Sequence, residues 1–412
     1  MNARRALVFI LCTVTLDMLG LGLIIPVLPK IVLGFMGGDT ASAAEVFGLF
    51  ATVWGLMQFF CSPLLGALSD RFGRRPVILV SCLGMGLDYV FMAVAPSLTL
   101  LFIGRVVSGI TAATVSTSFA YIADVTEPKA RAKAFGLIGM GFSLGFILGP
   151  AIGGLLGGLD ERLPFWVAAG ACFLNVAFGW FVLPESLPAD RRMAFSWKRA
   201  NPIGALRLLA SHIELLGLSA VNFLGQLAHQ VLPSVFVLYA GYRYGWGETA
   251  VGLTLAFVGA CSGVAQGLLV GPIVGRLGER LTLLLGLLCG VIGMAIYGLA
   301  PTGALFLVGV PVMALWGLSG PATQGIMTRL VSPSEQGQLQ GANTSLGSIA
   351  GLIGPGLFTL CFAYFIGRKP DGPEIPGAAF DLAALILLAA LATAWATTRA
   401  TRSSGPPVFP PV

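Results

Sequence analysis

The chain has 412 residues, 56% hydrophobic and only 10% charged, with a formal net charge of +6 and a mean hydropathy of +0.88. Soluble domains carry about 25% charged residues, so this composition excludes a soluble globular fold and makes the bilayer the solvent. Backbone groups in hydrocarbon are satisfied only in helices or closed barrels, and continuous apolar runs without ten-residue alternation select helices.

In chain order, twelve runs have about the length a ~30 Å hydrocarbon core requires: 6–29, 45–68, 77–95, 98–121, 134–157, 163–183, 213–240, 249–273, 281–299, 302–327, 339–366 and 379–398. The predicted fold class is an all-α membrane protein with twelve transmembrane helices in two pseudo-symmetric six-helix halves. The first run is too long for a signal-peptide core and lacks a small-residue cleavage site, so it is expected to remain as a helix. Residues 1–183 form an N-terminal bundle, 184–211 a cytoplasmic linker, 212–398 a C-terminal bundle and 399–412 a Pro-rich disordered tail. The linker carries Arg191, Arg192, Lys198 and Arg199 and is expected to lie along anionic headgroups.

An even number of spans leaves both termini on one face. Placing them in the cytoplasm puts 18 Lys/Arg on that side and five (Lys30, Arg162, Arg243, Arg368 and Lys369) on the other, the asymmetry of the positive-inside rule. This accounts for a pI of about 9.1 without nucleic acid as a partner.

A constant offset of 205 positions relates Gly20 to Gly225, Gly66 to Gly271, Arg71 to Arg276, Gly73 to Gly278, Arg75 to Arg280, Pro128 to Pro333, Gly136 to Gly341, Gly149 to Gly354 and Pro150 to Pro355. Chance explains any single glycine pair in so glycine-rich a chain. It does not explain the Arg-x-Gly-x-Arg and Gly-Pro matches together, so the halves are read as a duplication.

Three charged residues remain within the predicted spans once those assignable to loops or helix ends are set aside: Asp17, Asp88 and Arg105. An Asp at a span centre costs about 2.5–3.5 kcal/mol on insertion scales and therefore marks function by default. Asp17 and Asp88 each lie about eleven residues into a span, near the midplane at ~1.5 Å per residue, and Arg105 lies shallower. One guanidinium can hold one carboxylate ionised and leave the other to load and unload a proton; a purely structural Asp-Arg tie between helices is the competing reading.

In the fifth span Gly141, Gly145, Gly149, Gly153 and Gly157 recur every four residues, a stripe that lets another helix approach closely. Pro150 is expected to bend that span. The second half offers amides instead of charges. Asn222, Gln226 and Gln230 form a stripe on the seventh span, and Gln266, Gln324 and Asn343 can line the same cavity or simply bond neighbouring helices. His229 is read as wetted or structural.

The seven cysteines all fall in predicted spans without metal-ligand spacing and read as small packing residues. No phosphate-binding loop, zinc-protease helix or nucleophile elbow occurs. The reading is therefore not an enzyme: no catalytic residues, no metal, no cofactor, and transport driven by a gradient.

These motifs carry a resemblance. Gly66-Ala-Leu-Ser-Asp70-Arg71-Phe-Gly73-Arg74-Arg75-Pro76 resembles motif A of the major facilitator superfamily, Gly104-Arg105-Val-Val-Ser108-Gly109 its motif B, and Gly145-Phe-Ile-Leu-Gly149-Pro150-Ala-Ile-Gly153-Gly154 its antiporter motif C. Leu16-Asp17, Leu56-Met-Gln58, Leu87-Asp88-Tyr89 and Pro321-Ala-Thr-Gln324-Gly325 extend the similarity to the tetracycline/proton antiporter family over nearly the whole chain. The resemblance implies that Asp70, Arg71, Arg74 and Arg75 gate the cytoplasmic mouth; independently of it, Asp70 at the end of the second span can accept from backbone amides at the start of the eleventh and favour its positive dipole end. The resemblance also implies that Asp17, Asp88 and Arg105 handle protons, and that Gln58 joins the second-half amides in the pathway. Ser262 and Gly290 stand where that family carries His and Asp, so coupling must rest on the first half.

The expected activity is proton-coupled antiport of a small amphipathic, tetracycline-like drug, free or metal-chelated, by a monomer in the bacterial inner membrane. The alternatives are export of another drug, a metabolite or a siderophore, and a non-transporting receptor or scaffold.

Overall fold

Hydrocarbon leaves a backbone no water to bond, and the computed structural model is helical almost throughout, with no strand among the described residues. These are residues 3–111, 114–126, 131–188, 192, 213–331, 336–367 and 374–404.

All twelve predicted spans are helical. The first comprises α1 (Ala3–Ile24) and α2 (Leu28–Phe35), separated around Pro26 and Pro29, which cannot donate to a helix ladder. The second, third, fifth and sixth are α3 (Thr40–Phe72), α4 (Arg74–Val94), α7 (Arg131–Gly157) and α8 (Leu163–Val182); the fourth is α5 (Leu98–Thr111) with α6 (Thr114–Val125). In the second half, α9 (Ile213–His229) and α10 (Val231–Tyr244) make the seventh span. The eighth runs from α11 (Glu248–Val264) through a π turn at Ala265–Leu269 into α12 (Val270–Leu299), whose later part is the ninth. The tenth joins α13 (Gly303–Ala314) and α14 (Ser319–Arg329) through a 3₁₀ turn at Leu315–Leu318, and the last two are α15 (Gln336–Gly367) and α16 (Ala378–Ser404).

The duplication is visible in backbone geometry. Gly73 has φ +107° and ψ 161°, and its counterpart Gly278 has φ +73° and ψ 166°. Side chains other than glycine rarely adopt that region, which is why both copies of the charged turn keep glycine. Pro150 and Pro355 likewise both lie inside helices.

The chain packs as two units, one of Met1–Asp39, Leu49–Asn201 and Trp246–Gly259, the other of Thr40–Gly48, Pro202–Gly245 and Ala260–Val412. They depart from the boundaries 1–183 and 212–398 because small residues let two helix starts seat outside their own half. Gly154 of α7 receives the backbone at Gly252 of α11, and Gly48 of α3 abuts Thr359 of α15. Most of the predicted linker, including Arg191, Lys198 and Arg199, lies outside the described residues. The helix of α16 continues through Ser404, past residue 399 where the tail was expected to begin. Residues 405–412 are outside the described set.

Candidate functional site

In the first unit Asp17, on α1, is buried with 1% of its surface exposed. A polar relay ends on it. Thr13 Oγ1 donates to Asn175 Oδ1 at 3.1 Å, Asn175 Nδ2 donates to Cys82 Sγ at 3.6 Å, and the Cys82 thiol points to Asp17 Oδ1 at 3.9 Å. Thr114 Oγ1 lies 3.9 Å from the same sulfur. Asp17 Oδ2 has no hydrogen-bond partner, and among the described residues no cation pairs with Asp17. An unpaired buried charge costs several kcal/mol, so this carboxyl is suited to carrying a proton.

Asp88, on α4, is paired with Arg105 of α5, and both are buried. Gly104 makes room for the pair: a Cβ there would sit 2.7 Å from Asp88 Oδ1. The guanidinium thus holds Asp88 and leaves Asp17 alone. The neighbouring Tyr89 packs against Gly20 of α1, where an added Cβ would meet its ring at 3.2 Å.

The glycine stripe of α7 faces α1. A Cβ at Gly145 would meet Thr15 O at 2.6 Å and Met18 Cβ at 2.7 Å, and one at Gly149 would meet Gly22 Cα at 2.7 Å; Gly153 abuts the Leu23 backbone and Gly157 the Val27 side chain. The partner that the small residues admit is therefore the helix that carries Asp17. A second row on α7 takes the start of α11: Thr249 Oγ1 donates to Gly154 O at 3.3 Å, and Lys30 Nζ pairs with Glu248 at 3.0 Å in the same unit.

In the charged turn Asp70 pairs with Arg74 at 2.6 Å, and Arg74 also bonds Ser69 Oγ at 2.6 Å and Asp124 at 3.2 Å. Glu185 caps the start of α4, accepting from the amides of Arg74 at 2.8 Å and Arg75 at 3.3 Å. Its carboxylate occupies the space a side chain at Gly73 would need. Arg71 stacks on Phe72 and Arg75 on Trp180. Gly66 accepts the Ser69 hydroxyl.

The second unit repeats this clamp with its signs reversed. Glu279 pairs with Arg329, and these are the 205-offset counterparts of Arg74 and Asp124. Asp70, however, corresponds to the uncharged Gly275. Exchanging the second pair (Glu279→Arg with Arg329→Glu) should leave thermal stability in detergent nearly unchanged, within about 1 kcal/mol for an exposed pair. The same exchange at the first pair (Arg74→Asp with Asp124→Arg) sets an aspartate beside Asp70 and loses the Ser69 bond, and should cost about 2 kcal/mol.

Three second-half amides bond one another: Asn222 Nδ2 donates to Asn343 Oδ1 at 3.1 Å and Asn343 Nδ2 to Gln324 Oε1 at 3.2 Å, leaving Gln324 Nε2 buried without a partner. Gln226 and Gln230 lie along the glycines Gly347, Gly351 and Gly354 of α15, and Gln266 of the π turn lies against Gly317 of the 3₁₀ turn. His229 sits 5.8 Å from the Trp316 ring. The indole also covers Gly290, where a Cβ would lie 2.9 Å from it, so no aspartate fits there without displacing Trp316. Gln58 is half-buried on α3.

Sequence reasoning missed Thr13, Cys82, Thr114, Asn175, Asp124 and Glu185. Signals existed for some: Thr13 precedes Asp17 by one helical turn on the same face, and Asn175 is a lone amide in an apolar span. Cys82 gave none.

The sequence profile of the Major Facilitator Superfamily matches residues 10–355 and, in a second placement, 219–408. The class C tetracycline resistance protein of Escherichia coli is 38% identical over 93% of this chain and 96% of its own length. The class B protein of Escherichia coli is 35% identical over 90% and 92%. Among solved structures, the human organic anion transporter MFSD10 (TETRAN) superposes with a TM-score of 0.70 at 24% identity, covering 96% of this chain and all of that one, a likeness of fold. A multi-pass helical protein with this fold and these relatives is a transporter rather than an enzyme, and the chain belongs to the Major Facilitator Superfamily, in one sequence family with the tetracycline resistance proteins.

Proposed function

We propose that the chain is a proton-coupled antiporter that exports an amphipathic, tetracycline-like drug across the inner membrane by alternating access, as a monomer with both termini in the cytoplasm. The names of its relatives support the cargo, and the basic-residue asymmetry supports the orientation. The observation that carries the coupling is the pair of unequal carboxyls in one unit: Asp88 is neutralised by Arg105, whereas Asp17 is buried with no cation beside it among the described residues.

In this cycle a cytoplasm-facing protein takes drug, free or chelated, against Gln58, Gln226, Gln230 and Gln266, with Asn222, Gln324 and Asn343 holding that wall together. Drug binding displaces the proton of Asp17. After the switch the drug leaves outward and a proton reloads the carboxyl. Unequal affinity of drug and proton for the two states couples their movements. Asp70, Arg71, Arg74 and Arg75 close the inner mouth, and the stripe of Gly145, Gly149, Pro150, Gly153 and Gly154 fixes the depth and rotation of the helix bearing Asp17.

Everted, energised membrane vesicles test this. Adding tetracycline should dissipate the interior acidity while drug accumulates inside, and Asp17→Asn should abolish both. Drug uptake by the unmodified protein without any proton movement would overturn the coupling. A second reading, export of a different compound, is favoured by Trp316 filling the space at Gly290; absence of tetracycline uptake, with proton movement on adding a phenicol or a lipophilic cation, would select it.

A further inference from the structure

In the second unit α12 and α16 leave an open groove of about 610 Å3 between them, with almost wholly apolar walls that include Leu277, Leu281, Leu285, Leu288, Leu388 and Trp395. From Leu281 to Leu288, and from Leu388 to Trp395, it follows each helix for about 10 Å at ~1.5 Å per residue, within one leaflet of a ~30 Å core. The leucines are exposed, and Trp395 is 51% exposed.

One end of the groove is cationic. Arg276 and Arg280 immediately precede the wall residues Leu277 and Leu281. Arg280 Nε donates to Thr398 Oγ1 at 3.1 Å, tying the two helices at that rim. The Arg399 guanidinium stands 5.1 Å from the ring of Trp395, itself a wall of the groove. Among the described residues no carboxylate pairs with any of the three, and Glu279, the acid between the first two, is engaged by Arg329.

We propose that this is a binding site for an anionic phospholipid, with an acyl chain along the leucines and the phosphodiester at Arg276, Arg280 and Arg399. Arginine forks match phosphate oxygens, and three unneutralised cations beside an apolar trough suit a ligand that brings net negative charge and a hydrocarbon tail together. A zwitterionic lipid brings its own cation to the same rim and is disfavoured. The site does not depend on the cargo proposed above; only its assignment to the cytoplasmic leaflet rests on the orientation.

The test reconstitutes the full chain in phosphatidylcholine vesicles containing either brominated phosphatidylglycerol or brominated phosphatidylcholine. Subtracting the Trp395→Phe signal isolates quenching in the groove. Half-saturation should come at a roughly tenfold lower fraction of the anionic lipid. The preference should fall toward one in Arg276→Gln/Arg399→Gln, which breaks no hydrogen bond among the described residues. Raising salt should erode it in the unmodified protein, a readout that stands even if the variant does not fold. Equal quenching by both lipids, meaning annular lipid only, overturns the proposal, as does a preference that survives both the substitutions and the salt.

Discussion

Arg105→Ala is expected to destabilise the solubilised protein by about 3–5 kcal/mol, because it leaves the Asp88 carboxylate buried with nothing to neutralise it. In a thermal scan that is a fall of roughly 10 °C. Pairing the change with Asp88→Asn removes the stranded charge and should restore most of the loss, since replacing both members of a buried ion pair by neutral groups is far milder than removing one. Drug export should stay abolished in both variants if the pair also serves the proton path. A purely structural pair would instead return transport together with stability in the double variant. The two readings thus separate in a single series of three proteins, the unmodified chain and the two variants, measured for melting and for uptake.

The second large effect is expected at the α1–α7 seam. At Gly149 a Cβ would lie 2.7 Å from Gly22 Cα and 2.8 Å from Leu19 O, and the neighbours at Gly153 are also backbone atoms. Side chains can rotate away, but a helix backbone can only move as a whole. Gly149→Val or Gly153→Val should therefore push α1 off its seat and cost about 3 kcal/mol or more, read as lost folded yield on size exclusion. Gly170→Ala is the control. Nothing lies within 4 Å of a Cβ there, so its stability should change by no more than about 0.5 kcal/mol. Any variant at the seam that does fold should still lose coupling, since α1 carries Asp17.

The spans and the repeat were legible because a bilayer imposes length and apolarity on each segment, and the 205-residue register survives in glycines whose backbone angles forbid replacement, such as Gly73 and Gly278. The breaks inside spans were not legible. Hydropathy registers apolar content but not helix phase, so the π turn at Ala265–Leu269 and the 3₁₀ turn at Leu315–Leu318 look like continuous helix. Midplane depth singled out Asp17 and Asp88, yet which of them Arg105 would hold depended on α4 and α5 meeting side by side. Cys82 reads as packing because a thiol looks apolar in sequence; only its place between Asn175 and Asp17 makes it part of a relay. The glycine stripe announced a close partner without saying that the partner was the first span. Matching identical residues at the repeat offset also concealed Asp124, whose counterpart Arg329 has the opposite sign.

That inversion records how the halves diverged. Two copies of one ancestral gene begin with the same charge at each place, so after they parted one clamp exchanged both its acid and its base. Substituting one member alone would have set like charges face to face, which makes an uncharged residue at one site the easiest intermediate. The mutual attraction was what selection retained while the residues supplying it changed, and the copy that reversed its signs found the compensating mutation within its own helices. The lineage had by then ceased to treat its two copies as interchangeable parts.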